Sequence, residues 1–215
     1  MANSLKKGIA PKYLFPIVAL YATAVGLIDW MGIEAVYSTL KNAGVAGIAG
    51  VAFLIIQDLF PRAAKEAVVF WRLNNRPPGF RAFSVVAKRD ERIDQAKLRS
   101  LLPVEHMEPS QENAEWYSWL KAVEGDAGIA DDHHRFLALR DSTALLLLLA
   151  IITPPLAVVF GWLIPNAAVI TGVCLIGYLL TMISARNAAV RFVGNVIARK
   201  VATSTAPNFH AGNSG

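Results

Sequence analysis

Three arginines, Arg72, Arg76 and Arg81, bracket the turn Pro77-Pro78-Gly79, with Trp71, Phe80 and Phe83 standing among them. A guanidinium is a planar fork of donors that matches phosphate oxygens in pairs and stacks on aromatic faces. The cluster is therefore a candidate for contact with lipid headgroups or with a phosphorylated ligand. Lipid is the expected occupant, because an anionic leaflet attracts cations placed beside a span. The remaining reactive types are sparser. Of the four histidines, His133 and His134 are adjacent and point apart on a helix, whereas a helical zinc pair needs i, i+4 spacing. His106 sits between Glu105 and Glu108 in a proline-bounded loop, and His210 lies near the C-terminus. Nucleophile elbow, phosphate-binding loop and zinc-protease motifs are missing. No catalytic, cofactor-binding or metal-ligating residue is expected. The single cysteine, Cys174, excludes an intrachain disulfide.

The elements that must position these groups are set by four long apolar segments, 13–31, 43–60, 143–164 and 167–185. Each is close to the roughly 20 helical residues that cross a hydrocarbon core. Soluble helices that are apolar all round would need a shell to cover them, and the rest of the chain is too short to supply one. Of the 21 Lys and Arg residues, 20 fall before the first segment, between the second and third, or after the fourth. The exception is Lys41. This asymmetry obeys the positive-inside rule if both termini and the middle of the chain are cytoplasmic. The pattern predicts an all-α inner-membrane protein with four transmembrane helices in two hairpins and a small helical cytoplasmic domain between spans 2 and 3. The expected boundaries are 1–60 for the first hairpin, 61–141 for the cytoplasmic domain, 142–202 for the second hairpin and 203–215 for a disordered tail. The first span is read as an uncleaved anchor, since its apolar run exceeds that of a signal peptide.

Within the second span Gly44, Gly47 and Gly50 alternate with alanines. Small residues at this spacing let helices approach closely in lipid, so they are candidates for helix packing and for a homo-oligomer. Pro154 and Pro155 are expected to kink the third span, with Thr153 available to the carbonyls they free. Pro165-Asn166 is the expected outer turn. No span carries an ionisable residue near its middle, which disfavours an ion-coupled carrier. Nucleic acid is disfavoured as a partner because the cations are interleaved with acids.

In the middle domain, 65–73 is expected to continue as helix and to lay Val68, Val69, Phe70 and Trp71 along the membrane surface. Asn74 to Phe83 cannot be regular helix. Asp94 reads as an N-cap, with Ile93 and Leu98 as a hydrophobic staple, and Pro103 stops that helix. Ser110 is the expected cap of the next helix, with Glu112 and Glu115 in its first turn. Trp116, Trp119, Leu120 and Val123 share one face of it, and Gly125 and Gly128 end it. Asp131 or Asp132 should begin the third long helix. Arg140 and Asp141 are expected to pair with groups of the middle domain at the membrane surface, Asp90 or Arg92 among them.

The order Trp71-Arg72-Leu73, Pro78-Gly79-Phe80-Arg81-Ala82-Phe83, Arg92-Ile93-Asp94, Trp116-Tyr117 and Leu139-Arg140-Asp141 resembles a type of small bacterial membrane protein. The layout also resembles that of membrane effectors of bacterial anti-phage systems. That resemblance implies a cytoplasmic trigger and spans that damage the inner membrane, and it assigns no functional residue. The expected function is a non-enzymatic membrane protein whose cytoplasmic domain receives a signal ligand or protein partner and alters the spans. The alternatives are a membrane anchor for a cytoplasmic complex and an enzyme acting on lipid or nucleotide phosphates.

Overall fold

The computed structural model describes residues 60–103, 106–160 and 164–204, and every regular element among them is helical. The first two apolar segments, the glycines Gly44, Gly47 and Gly50, and residues 205–215 of the expected tail lie outside the described residues. Six α-helices follow in order: α1 (Arg62–Phe70), α2 (Ala87–Arg89), α3 (Gln95–Leu101), α4 (Pro109–Ala122), α5 (Ala127–Phe160) and α6 (Ile164–Thr203). A 3-10 turn (Pro78–Arg81) and a π-helical turn (Ala82–Val86) lead into α2. The Pro-Pro-Gly stretch is thus irregular up to Pro77, as its composition predicts, and Pro78 opens the 3-10 turn, where its missing N–H is not needed.

α5 and α6 are long and apolar enough to cross a membrane. Their 34 and 40 residues correspond to about 51 and 60 Å at 1.5 Å each, against a hydrocarbon core of about 30 Å. Several start and stop positions differ from expectation. α5 starts at Ala127 rather than at Asp131 or Asp132, because Asp126 Oδ1 accepts from the amides of Gly128 and Ile129 at 2.9 and 3.3 Å. Gly128 is therefore in the first turn of α5. α4 starts at Pro109, not after Ser110: Gln111 Oε1 accepts from the Glu108 amide at 2.9 Å, half of a capping box, and proline suits the first helical position. Pro165 and Asn166 belong to the first turn of α6 and do not form the expected outer turn. α5 runs on through Pro154 and Pro155. The Thr153 hydroxyl donates to Leu149 O at 2.6 Å, while the prolines deprive the Ala150 and Ile151 carbonyls of their intrahelical donors.

The chain divides into two compact units, Met1–Arg76 with His134–Ala188, and Pro77–His133 with Ala189–Gly215. Two of the three divisions fall inside α5 and α6, so each long helix contributes to both units. In the second unit, Phe83, Val86, Ile93, Leu98, Trp116, Trp119, Leu120, Phe192, Val196 and Ile197 form one buried cluster. The face read from α4 is this core, with Phe83 edge-on to Trp119 at 4.9 Å and Trp116 edge-on to Phe192 at 5.6 Å. Asp94 caps α3 by accepting from Ala96 N and Lys97 N, and Ile93 and Leu98 are both buried, which bears out the staple. Beneath them Glu112 is buried and accepts from the Phe83 and Ser84 amides at 2.9 and 3.0 Å. A carboxylate read from sequence as dipole compensation therefore also ties the π-helical turn to α4.

In the first unit α5 and α6 are antiparallel: Leu146 packs with Tyr178 and Met182, and Ala150 with Ile170 and Cys174. Gly177 makes this approach close, since a Cβ there would lie 3.4 Å from both Leu146 methyls.

Candidate membrane interface

The stretch from Ser142 to Ala185 contains no Lys, Arg, Asp, Glu or His. The two charges that bound it, Asp141 and Arg186, both attach to α1. Asp141 lies 3.4 Å from Lys65 and 2.9 Å from Arg140, with all three side chains at most 11% exposed. Arg186 Nε donates to Val69 O at 2.6 Å, at the C-terminus of α1. A helix end leaves carbonyls without intrahelical donors, and a cation there is favoured by the helix dipole. Tyr178 OH donates to the neighbouring Val68 O at 3.2 Å and accepts from Trp71 Nε1 at 2.7 Å. The Arg186 guanidinium also lies 5.0 Å from the Trp71 ring centre.

Trp71 ends α1 in the left-handed region, at φ 52°. A β-carbon is costly there, and glycine is the usual occupant of such a helix end. The indole contacts with Tyr178 and Arg186 are what hold the residue in this conformation. Tryptophan, tyrosine and arginine together at the end of an apolar stretch are the residues favoured at headgroup level.

The arrangement corrects two expectations. Asp141 does pair within the middle domain, but with Lys65 and Arg140 rather than with Asp90 or Arg92, which pair together at 2.7 Å. Nor does α1 lay four apolar residues along the membrane surface. Val69 is fully buried, Phe70 packs against Phe136 at 6.3 Å, and the helix stops before Leu73. Only beyond its end do large apolar side chains become exposed, Trp71 at 63% and Leu73 at 80%.

Of the three arginines singled out in sequence, Arg72 and Arg76 belong to the first unit and Arg81 to the second. Arg76 Nε donates to Arg72 O at 3.1 Å, which draws these two together beside Trp71 and Leu73. Two of the interleaved aromatics serve other ends: Phe83 is in the core, and one face of Trp71 meets Arg186. The sequence reading missed Tyr178, Arg186 and the Lys65–Asp141 pair. The available signal was the position of Asp141 and Arg186 as the first charges on either side of a charge-free stretch.

His133 stacks on Phe192 at 5.0 Å, with the rings nearly parallel. The described residues hold no group of three or more His, Cys, Asp or Glu arranged to take a metal ion. Asp90 and Arg92 are part of a polar chain in the second unit. Arg92 donates to Asn195 Oδ1 at 2.9 Å, Asn195 Nδ2 donates to Asp132 Oδ2 at 2.6 Å, and Arg191 lies 3.5 Å from Asp132. The hydrogen bonds from Arg92 hold the Asp90 carboxyl below its usual range, and Asp90 raises Arg92.

No family model matches the chain, and no curated protein or solved structure is similar enough to carry an argument.

Proposed function

We propose that the chain is a multi-pass protein of the bacterial inner membrane, crossing it four times with both termini in the cytoplasm, and that it acts without catalysis. Its cytoplasmic unit receives a signal ligand or protein partner and alters the packing of the spans. The observation that carries the reading is the outward apolar face of α5 and α6. Ile151, Val158, Val169, Ile176, Leu180 and Ile183 are each more than half exposed, and the stretch ends at Asp141 and Arg186. Soluble surfaces seldom leave so continuous an apolar area uncovered, whereas lipid covers it without cost. Because α5 and α6 supply chain to both units, a change in the packing of one helix end has a continuous backbone along which to act. Arg72 and Arg76, beside exposed Trp71 and Leu73, are suited to anionic headgroups, and Arg81 is assigned to lipid on its charge.

Topology is tested with single cysteines at Ser38 and Ser118 in a Cys174→Ala background. Ser38 should react from the periplasm and Ser118 from the cytoplasm; labelling of both from one side removes the four-span reading. Function is tested by expressing the chain with its gene neighbours and following membrane potential. Collapse under one trigger supports a membrane-disrupting effector. Unchanged potential under every trigger leaves the anchor for a cytoplasmic complex. At the arginines, Arg76→Lys and Arg81→Lys should retain activity, since headgroup attraction needs charge alone. Loss in either variant, with normal insertion, points to a phosphorylated ligand held by the guanidinium fork.

A further inference from the structure

Within the second unit, between α3, α4 and the π-helical turn, lies a cleft of about 690 Å³. That is within the range of roughly 300–1,000 Å³ in which proteins take small molecules. Its wall is aliphatic where Leu98, Leu102 and Met107 line it. The polar groups of the wall are largely used by the protein itself: Glu112 is bonded to the Phe83 and Ser84 amides, and Gln95 Nε2 donates to Ala87 O and Ile93 O. What the lining leaves unused is positive. Lys88 and Arg99 are exposed on it and form no ion pair with any described residue, and His106 is exposed beside them. Phe83, the one phenyl in the lining, is 6% exposed and packed in a T-shaped contact with Trp119, so it offers no open face on which a nucleobase stacks.

We propose that this cleft binds a small amphiphilic anion, a carboxylate or phosphate head on an aliphatic body. The body lies against Leu98, Leu102 and Met107, and the head meets Lys88 and Arg99. An aliphatic wall gains from covering apolar surface, while two lining cations that form no ion pair with a described residue select a negative head over a neutral one. Binding here stands whether the chain crosses the membrane twice or four times. That the bound molecule is the signal rests on the function proposed above.

The test uses the full chain in nanodiscs of zwitterionic lipid, with a diazirine analogue of decanoate as photoreactive probe and peptide mapping of the adducts. Adducts are expected on the segment carrying Leu98, Leu102 and Met107, competed by decanoate and not by decanol. Lys88→Gln with Arg99→Gln should lower the yield there by about tenfold or more, because both charge-assisted contacts to the head are removed. Labelling of residues 142–185 by probe dissolved in the bilayer should stay unchanged. Leu102→Trp, at a half-buried position, should block the cleft without emptying the core, and it serves where the double variant fails to fold. Adducts confined to residues 142–185 would mean that the probe only partitions into lipid, and the proposal falls. Equal competition by decanol, or an unchanged yield in both variants, overturns it as well. A bound probe that leaves membrane potential untouched would retain the site and remove its role as the trigger.

Discussion

On α4, the apolar residues Trp116, Trp119 and Leu120 are each at most 9% exposed, and the exposed positions of that helix are Ser, Gln, Ala, Lys and Tyr. On α6 between Val169 and Ile183, the outer positions are valine, leucine and isoleucine, while the buried ones are Ile170, Cys174, Tyr178 and Met182. The polar groups divide in the same way. Thr143, Thr153 and Thr181 return their hydroxyls to carbonyls of their own helix, four residues back. Asp90, Arg92, Asn195 and Asp132 instead bond across elements. A helix facing water must hide its large apolar side chains and can leave polar atoms to the solvent. A helix facing lipid has no solvent for its hydroxyls, and internal return is their cheapest satisfaction.

Truncation at the two kinds of position should give the widest contrast. Trp119→Ala removes a 4% exposed ring that touches Phe83 and donates to Glu115 at 2.7 Å, and a loss of about 3–5 kcal/mol is expected. Leu180→Ala, at 62% exposure, should leave the melting temperature in nanodiscs almost unchanged. A comparable loss at Leu180 would mean that protein covers that face, and the lipid assignment of α6 would fail.

Close behind comes the Lys65–Asp141–Arg140 cluster. Asp141→Asn leaves two cations in a site that is at most 11% exposed, with a cost of about 3 kcal/mol or more. Replacing Asp141 and Lys65 together by leucine and methionine should recover part of it, because one of the two uncompensated cations is removed while Arg140 keeps its charge. Thermal unfolding of the single and double variants measures both. Equal losses in the two would show that packing, and not charge, is what the cluster supplies.

The residues involved explain how much could be read from sequence. The core face of α4, the Asp94 cap and its staple are set by spacings within a few residues, and the structure reproduces them. The apolar character of α5 and α6 was equally legible from composition. The start of α5 was misplaced because Asp126, Asp131 and Asp132 are all good caps, and only the Gly128 and Ile129 amides reveal which one serves. Asp141 and Arg186 were misassigned or missed because their partners on α1 are many residues away, and no local period encodes such a pairing. Within the arginine cluster, proximity in sequence likewise did not show that Phe83 belongs to the core.

Glycines sharpen the comparison at smaller energies. A methyl at Gly79 would lie 2.6 Å from Asn113 Oδ1 and 3.0 Å from the Trp116 ring. Gly79→Ala should therefore cost about 1–3 kcal/mol by overpacking the second unit. At Gly172 on α6 a methyl meets nothing within 4 Å, and alanine there should be neutral or add up to about 1 kcal/mol through helix propensity. Chemical or thermal unfolding reads both, and a costly Gly172→Ala would reveal a close neighbour on that face.

The smallest effect concerns acid. Asp90 Oδ1 accepts from the Arg92 amide and Nε at 3.1 and 2.9 Å, and Oδ2 accepts from Nη2 at 2.7 Å. These bonds hold its carboxyl below the ordinary value of 3.8. A carboxylate depressed in the folded state binds fewer protons than it does unfolded, so its contribution is complete above 3.8 and is lost as pH falls through the lower, folded value. Arg92 is shifted upward, so its own contribution is intact throughout neutral and acidic pH. Its side chain is 61% exposed, and solvent screening keeps the pair to about 1 kcal/mol or less. Asp90→Asn should thus lower the melting temperature of the second unit slightly at pH 7, read by tryptophan fluorescence. The difference from wild type should vanish as the buffer is taken below pH 3.8. A difference that persists in acid would assign the role of Asp90 to the shape of its turn and not to its charge.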